Sequence, residues 1–254
     1  MIHPTAIIDS HAELGPGCEV GPFCVIGPNV KIGARCRFIS HVVVDGHTEI
    51  GDDNQFYPFA SIGLKTQDLK WKGGLTRTVI GHRNTIRECV TIHSATGDGE
   101  STVIGSDNNI LASSHIGHNV CMGNHVIVSM AALAGHVIVE DCAIVGGLSA
   151  VHQFCRIGTM GMIGGCSKIT QDIPPYMIVD GNPAATRMVN KVGLDRNGVS
   201  ESAQSALRTA HRILFRDGLT IPNALSRIES EVPSCPEILH LVNFVRTSQR
   251  GVCK

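Results

Sequence analysis

Apolar residues recur every six positions from the start of the chain. Stepping by six from Ile2 gives Ile8, Leu14, Val20, Ile26, Ile32, Phe38, Val44, Ile50, Phe56 and Ile62, without exception. A second column of small or apolar residues runs two positions earlier: Ala6, Ala12, Cys18, Cys24, Val30, Cys36 and Val42. Six-residue steps turn through roughly 600° on an α-helix and scatter over its faces, so a helix is a poor account. Repeats of this length form a parallel β-helix, each hexad a short flat strand and three hexads one triangular coil. Glycine often follows the aliphatic, as in IGPNVK, IGARCR and IGDDNQ, which predicts corners with unusual φ/ψ.

The beat breaks after Ile62, resumes at Ile80, Ile86 and Ile92, and breaks again. It restarts at Ile104, Ile110, Ile116, Met122 and Val128. One hexad is then a residue short, and Leu133, Val139, Val145, Val151, Ile157, Ile163 and Ile169 continue the column. The interruptions, GLKTQDLKWKGGLTRTV and SATGDGESTV, are polar and Gly-rich. They predict loops ejected from the solenoid at about 63–79 and 94–103. Prolines in QDIPPYMIVDGNPA end the strand pattern. Beyond them the spacing is helical. Ser200 caps a segment with Ala203, Ala206, Leu207, Ala210, Ile213 and Leu214 on one face, Gly218 stops it, and Thr220 and Ser234 open two more. The expected fold is mainly β: a parallel β-helix over residues 1–183, then a small α-helical C-terminal domain over 184–254.

Composition narrows the chemistry. A formal net charge of −1 provides no basic field for nucleic acid or an anionic membrane. Only 4% of residues are aromatic, which suits a core of short, uniform side chains. The N-terminus lacks a charged segment followed by an apolar one, and no apolar run approaches the roughly 20 residues of a membrane span. Ten cysteines without a secretory signal predict a reducing compartment, the cytoplasm. They lack zinc-finger spacing, and those in the inner column read as small buried hydrophobes.

Candidate catalytic groups concentrate in LASSHIGHNVCMGNH, residues 111–125. If three hexads make a coil, those at Ile92, Ile116, Leu133 and Val151 share one face on successive coils, about 4.8 Å apart. Their histidines, His93, His118, His136 and His152, are then expected to line one edge of the prism. His115 is assigned to the preceding hexad, just before the corner. Both ejected loops follow hexads of this same face. Imidazoles titrate near neutrality and suit proton transfer. His3, His11, His41, His47, His82 and His125 lack such company and read as solvent-facing. Zinc needs three converging ligands, which parallel side chains on a flat face do not supply, although a site between subunits would. There is no GxSxG elbow, P-loop or dinucleotide-binding glycine signature. The column therefore favours direct general-base catalysis, without metal or cofactor, on a second substrate that supplies the nucleophile.

The segments SHIGHN (114–119), LAGH (133–136), VHQFC (151–155), IGGCSKITQDIPPY (163–176) and QDLKWKG (67–73) resemble the UDP-N-acetylglucosamine O-acyltransferases. The likeness runs nearly end to end. It implies a left-handed coil and a homotrimer with active sites between subunits. The implied reaction transfers an (R)-3-hydroxyacyl group from acyl carrier protein to the glucosamine 3-hydroxyl of UDP-GlcNAc, the first step of lipid A biosynthesis. His118 matches the family's general base, and the backbone N–H of Gly135 its oxyanion donor. His115, His136, His152 and Gln153 match substrate-positioning residues. Asp68 and Lys70 match sugar-nucleotide contacts, on a loop expected from the neighbouring subunit of a trimer. Asn190 and Arg196 match nucleotide contacts. Gly165 matches a position that limits acyl length, and its lack of a side chain leaves room for a long chain.

Three departures from the family pattern stand out. Asn119 follows the base where the family often has Asp, so the imidazole lacks its usual adjacent charge. Asn197 stands where a second arginine is common, with Lys191 as the nearby substitute. The short hexad between Val128 and Leu133 is expected to disturb the backbone near Gly135. Arg208, Arg212 and Arg216, at i, i+4 and i+8, form either a docking stripe for the acidic carrier protein or a solvated face. Two rivals remain. One is the related sugar-nucleotide N-acyltransferase, whose family adds an N-terminal uridine-binding domain where this chain begins directly in repeats. The other is a zinc hydratase of the γ-carbonic anhydrase type, which stoichiometric zinc would reveal.

Overall fold

A computed structural model describes residues 1–254. Three sheets of nine, eight and ten strands wrap into a triangular prism, and every pairing in it is parallel except the last. Most strands are two residues long, such as Glu19–Val20 and Arg37–Phe38, and each sends one side chain inward. Coils stack in the expected register: Ile62 on Ile92, Ile92 on Ile116, Ile116 on Leu133 and Leu133 on Val151.

A prism with one inward residue per strand is narrow, which explains the aliphatic uniformity. The core runs without a break along its length, with the Phe38 and Phe56 rings stacked at 4.6 Å where the column admits aromatics. Cys18, Cys24 and Cys36 are buried in it. Burial pushes the Cys36 thiol up to about 11, and the Cys18 and Cys36 sulfurs each donate to a glycine carbonyl at 3.1 Å. These are packing groups, as their column implied.

The corners correct one expectation. The residue with positive φ is the third after the inward aliphatic, and it is usually not glycine: Phe23, Asp53, Asn119 and His136 have φ of 59°, 60°, 60° and 60°. The glycine directly after the aliphatic is needed for clearance instead. A Cβ on Gly33 would stand 2.7 Å from the Gly51 carbonyl carbon in the next coil.

The ejected loops are slightly shorter than predicted, spanning 65–76 and 94–100, because the strands Ser61–Leu64, Arg77–Ile80 and Ser101–Ile104 extend into them. The short hexad disturbs nothing downstream. Ala132–Leu133 pairs with His115–Ile116 and with Ala150–Val151 without a shift. The missing residue is taken out of the corner at Met130, where φ falls to 42°.

Past residue 184 the chain first forms a strand, Ala184–Val189, which turns back antiparallel on Met177–Gly181. Four helices follow: α1 Lys191–Arg196, α2 Glu201–Phe215, α3 Ile221–Glu231 and α4 Pro236–Arg246. Ser200 caps α2 as predicted, accepting from the Ala203 N–H. Cys235, rather than Ser234, stands at the N-cap of α4, because Pro236 takes the first helical position. The short α1 was not anticipated. Leu207, Ile213, Ile228, Leu241 and Phe244 form a second core that packs on Tyr176 and Met177 at the solenoid's end. No helix is long and apolar enough to cross a membrane.

Three asparagines in the inner column bridge successive coils, Asn54, Asn84 and Asn108. Asn84 donates through Nδ2 to Asn54 Oδ1 and the Gly105 carbonyl, at 2.9 and 3.0 Å, and its Oδ1 accepts from the Asn108 N–H at 2.9 Å. Asn84→Leu would leave the Gly105 carbonyl and the Asn108 N–H without these partners, while Asn54 Oδ1 keeps the backbone N–H of residue 84, at a cost of about 1–3 kcal/mol. Urea unfolding of that variant is expected to show a loss of this size. An unchanged midpoint would show that the ladder contributes nothing to stability.

Candidate functional site

The four histidines of the shared face occupy one edge but not one column. Counted from the inward aliphatic of each hexad, His93 and His152 stand one residue on, His118 two and His136 three. They therefore leave the corner in different directions. Register instead places Gly135 and Gln153 above His118, and His136 and Phe154 above Asn119. His115 ends the preceding hexad, just before the corner, as expected. It lies in the strand His115–Ile116 itself, with its ring on the outer face of the nine-stranded sheet. His125 sits at a different corner, as expected.

A groove of about 540 Å³ lies between this edge and the 65–76 loop, with Asp68, Lys70, His93, His115, His118 and Gly135 on its walls. Gln153 closes one end, and Ala132 and Ala150 give it a floor of small apolar side chains. A hollow of about 580 Å³ over Lys31, Glu49 and His82 is larger but gathers no comparable set of acid–base groups. The Asp68 carboxylate comes within 3.8 Å of His118 Nε2, so the chain's own loop reaches this edge. Thr66 and Thr96 tie the two ejected loops together through their hydroxyls at 2.8 Å. The Asp68 carboxylate also accepts from the Lys70 N–H at 2.9 Å.

The tautomer of His118 follows from its neighbour. Asn119 Oδ1 accepts from the Thr96 backbone N–H at 3.0 Å, and its Nδ2 donates to the Glu100 carboxylate at 2.7 Å. A backbone N–H only donates and a carboxylate only accepts, so the amide has one orientation. The contact at 2.9 Å between Asn119 Oδ1 and His118 Nδ1 must then be an Nδ1–H donation. Nε2 is left with its lone pair, as a base requires. Gly135 keeps that lone pair accessible, because a Cβ there would collide with His118 Nε2. The Gly135 N–H has no hydrogen-bond partner within the protein.

His93 and His115 meet edge to face at 5.1 Å, and Thr91 Oγ1 lies 2.7 Å from His115 Nδ1. Burial, reinforced by the charge of neighbouring imidazoles, holds His93, His115 and His136 below the usual histidine range. Such groups stay neutral and polar near pH 7, suited to hydrogen bonding. The rings do not converge on a common point, and no group of three His, Cys, Asp or Glu side chains is arranged to hold a metal.

The remaining sequence candidates lie apart from the groove walls. His136 stacks on Phe154 at 4.6 Å, with its edge against His118. His152 is exposed. Asn190 caps α1, accepting from the Gly193 N–H and donating to the Met160 carbonyl, and Arg196 ends the same helix. Asn197 donates to the Gly193 carbonyl, and Lys191 is exposed at the start of α1. Gly165 packs over Gly147 at the other corner of the nine-stranded sheet. In the arginine stripe, Arg208 pairs with Glu201 and Arg216 donates to the Arg187 carbonyl, leaving Arg212 as the exposed member without such a bond. Glu100, Thr91 and Thr96 were missed by the sequence reading. Thr91 is legible in hindsight as the register partner of His115, whereas nothing periodic marks the two loop residues.

Because His93, His115, His136 and, in the helical domain, His211 have depressed folded pKa values, the folded chain binds fewer protons than the unfolded one. Their contribution is complete above the unfolded pKa of about 6.5 and is lost as pH falls below it toward the folded values. The thermal midpoint is expected to drop between about pH 7 and pH 5.5, and by less in His93→Asn. A midpoint independent of pH over that range would contradict the burial account.

Comparison with known proteins identifies the family. Residues 172–253 match the family described as UDP-N-acetylglucosamine O-acyltransferase, domain 2, and residues 11–46 match the bacterial transferase hexapeptide repeat. The fold is similar to that of LpxA, a UDP-N-acetylglucosamine acyltransferase from Bacteroides fragilis. The two share 38% identity and a TM-score of 0.97, with 100% of both chains covered. LpxA from Acinetobacter baumannii is 43% identical with a TM-score of 0.95, covering 100% of this chain and 99% of its own. The UDP-N-acetylglucosamine O-acyltransferase of Moraxella catarrhalis is 40% identical with a TM-score of 0.94, at the same coverage. Identity at this level, sustained over the whole length, shows that the chain belongs to the UDP-N-acetylglucosamine O-acyltransferase family.

Proposed function

We propose that this acyltransferase moves an (R)-3-hydroxyacyl group from the thioester of acyl carrier protein to the glucosamine 3-hydroxyl of UDP-GlcNAc, with His118 as general base. The observation that carries this reading is the pairing of an open Nε2 lone pair with an unused backbone donor. Nδ1–H is tied to Asn119, and the Gly135 N–H is free beside the ring. His118 Nε2 takes the proton of the 3-hydroxyl as its oxygen attacks the thioester carbonyl. The Gly135 N–H stabilises the oxyanion, a contribution worth about 2.7–4 kcal/mol where measured in other enzymes. Collapse of the tetrahedral intermediate expels the carrier thiolate, which takes the proton back from the imidazolium.

The groove supports roles for its other residues. His115 and Gln153 line it beside the base and are assigned to position the substrates. Asp68 and Lys70, on the overhanging loop, are assigned to the sugar nucleotide. The alanine floor at Ala132 and Ala150 suits a hydrocarbon chain, and Gly165 limits its reach at the far corner. His136, stacked on Phe154 beside the base, and His152 are also assigned to position the substrates, and Asn190 and Arg196 to the nucleotide. A homotrimer completes the site, supported by exposed apolar corner residues beside the same sheet, Phe59, Met130 and Leu148. The reaction is the first step of lipid A biosynthesis. Ten free cysteines suit a cytoplasmic setting.

His118→Ala is expected to lower kcat/KM for acyl transfer by about 10²–10⁴-fold while keeping the thermal midpoint of the parent. Full turnover in that variant would remove His118 as the base. Gly135→Ala is expected to cost at least about a hundredfold in kcat, since its methyl both displaces the imidazole and moves the donor. Parental kcat in Gly135→Ala would contradict the role given to that N–H.

A further inference from the structure

The base of this site has no charged group on its Nδ1 side, yet a carboxylate stands one amide away. Glu100, in the second ejected loop, accepts from Asn119 Nδ2 at 2.7 Å and from the Gly97 N–H at 2.9 Å through the same oxygen. The Asn119 amide bond to it comes first in holding its carboxyl below the usual range, followed by the Gly97 N–H. Glu100 forms no ion pair with any lysine or arginine, so no fixed cation neutralises it. Asn119 sits at a corner with φ of 60°, a conformation Asn tolerates well, and its carbonyl oxygen is also held by the Thr96 N–H. Both anchors of the amide, Thr96 and Glu100, come from one loop whose composition follows no repeat.

We propose that Glu100 is a positioning residue for the transfer reaction: through the Asn119 amide it fixes the basic tautomer of His118 and stabilises its protonated form. This rests on the assignment of His118 as the base. When Nε2 takes the proton, the imidazolium charge faces the Asn119 carbonyl, whose amide is polarised by the carboxylate behind it. The other groups that face the ring are Asp68 at 3.8 Å from Nε2, the His136 edge at 5.1 Å, and His93 and His115 across the groove, with Lys70 on the loop above. Asp68 is on the groove side, facing Nε2. Glu100 alone acts from behind the ring.

Glu100→Gln tests this with little change of shape, because the glutamine carbonyl can still accept from Asn119 while the charge is gone. It is expected to lower kcat by about tenfold and leave KM for UDP-GlcNAc within about twofold. The acid limb of the kcat/KM profile should move down by about half a pH unit or more, since the imidazolium loses its stabilising charge. Asn119→Asp in the Glu100→Gln background returns a carboxylate to Nδ1 and is expected to restore kcat and move the limb back up. A purely structural residue would give neither the shift nor this rescue. Parental kcat with an unmoved profile in Glu100→Gln, or lost kcat with an unmoved profile, would overturn the proposal.

Nitrogen-15 NMR of the histidine side chains, in parent and Glu100→Gln, reads the same effect without turnover. The His118 signals should show a protonated Nδ1 in the neutral parent ring and a lower pKa in the variant. A pKa equal in both proteins would also overturn the role of Glu100. Absence of acyl transfer by the parent, with the NMR shift present, would instead remove the proposed reaction and leave the Glu100 coupling intact.

Discussion

The stacking register of the coils is the constraint on which the rest depends. Each strand is too short to hold a partner by itself, and each coil is held by backbone hydrogen bonds to equivalent residues above and below. A slip of one residue would turn the inward aliphatics outward. The uninterrupted inner column excludes that slip, and the Asn54–Asn84–Asn108 ladder adds side-chain bonds that only one register satisfies. The glycines after the aliphatics belong to the same constraint, because coils this close leave no room for a Cβ.

A rigid register converts sequence offsets into spatial neighbours. Gly135 lies over His118 because each is the second residue past its inward aliphatic, although seventeen positions separate them in the chain. The removal of one residue at the Met130 corner keeps this alignment rather than breaking it. Catalytic geometry can thus be set on corner residues, which face outward and are free of the core. The ejected loops add what corners cannot: a roof bearing Asp68 and a buttress bearing Thr96 and Glu100.

Legibility follows the same division. The inner column, the shared face of Ile92, Ile116, Leu133 and Val151, and the points of loop ejection could all be read because one residue per strand carries the periodic signal. His118, Gly135 and Asp68 come forward as candidates through that face and through family resemblance. The column of four histidines was misread because hexad class fixes the face, not the offset within the corner. The reach of the loop bearing Asp68 is not legible, because no repeat says that its twelve residues fold back over their own sheet. Glu100 was invisible because its role depends on where a non-repetitive loop comes to rest. The strand Ala184–Val189 was hidden by prolines that mark the end of the repeat but allow one antiparallel return.

The central claim is that an imidazole with an open Nε2, next to a free backbone donor, activates a sugar hydroxyl toward an acyl thioester. Identification of the product tests it most directly. Purified protein with (R)-3-hydroxyacyl carrier protein and UDP-GlcNAc, analysed by tandem mass spectrometry, should yield a single ester on the glucosamine 3-oxygen, formed equally well after treatment with a zinc chelator. An amide product, a dependence on zinc, or no acyl transfer with intact folded protein would contradict the account.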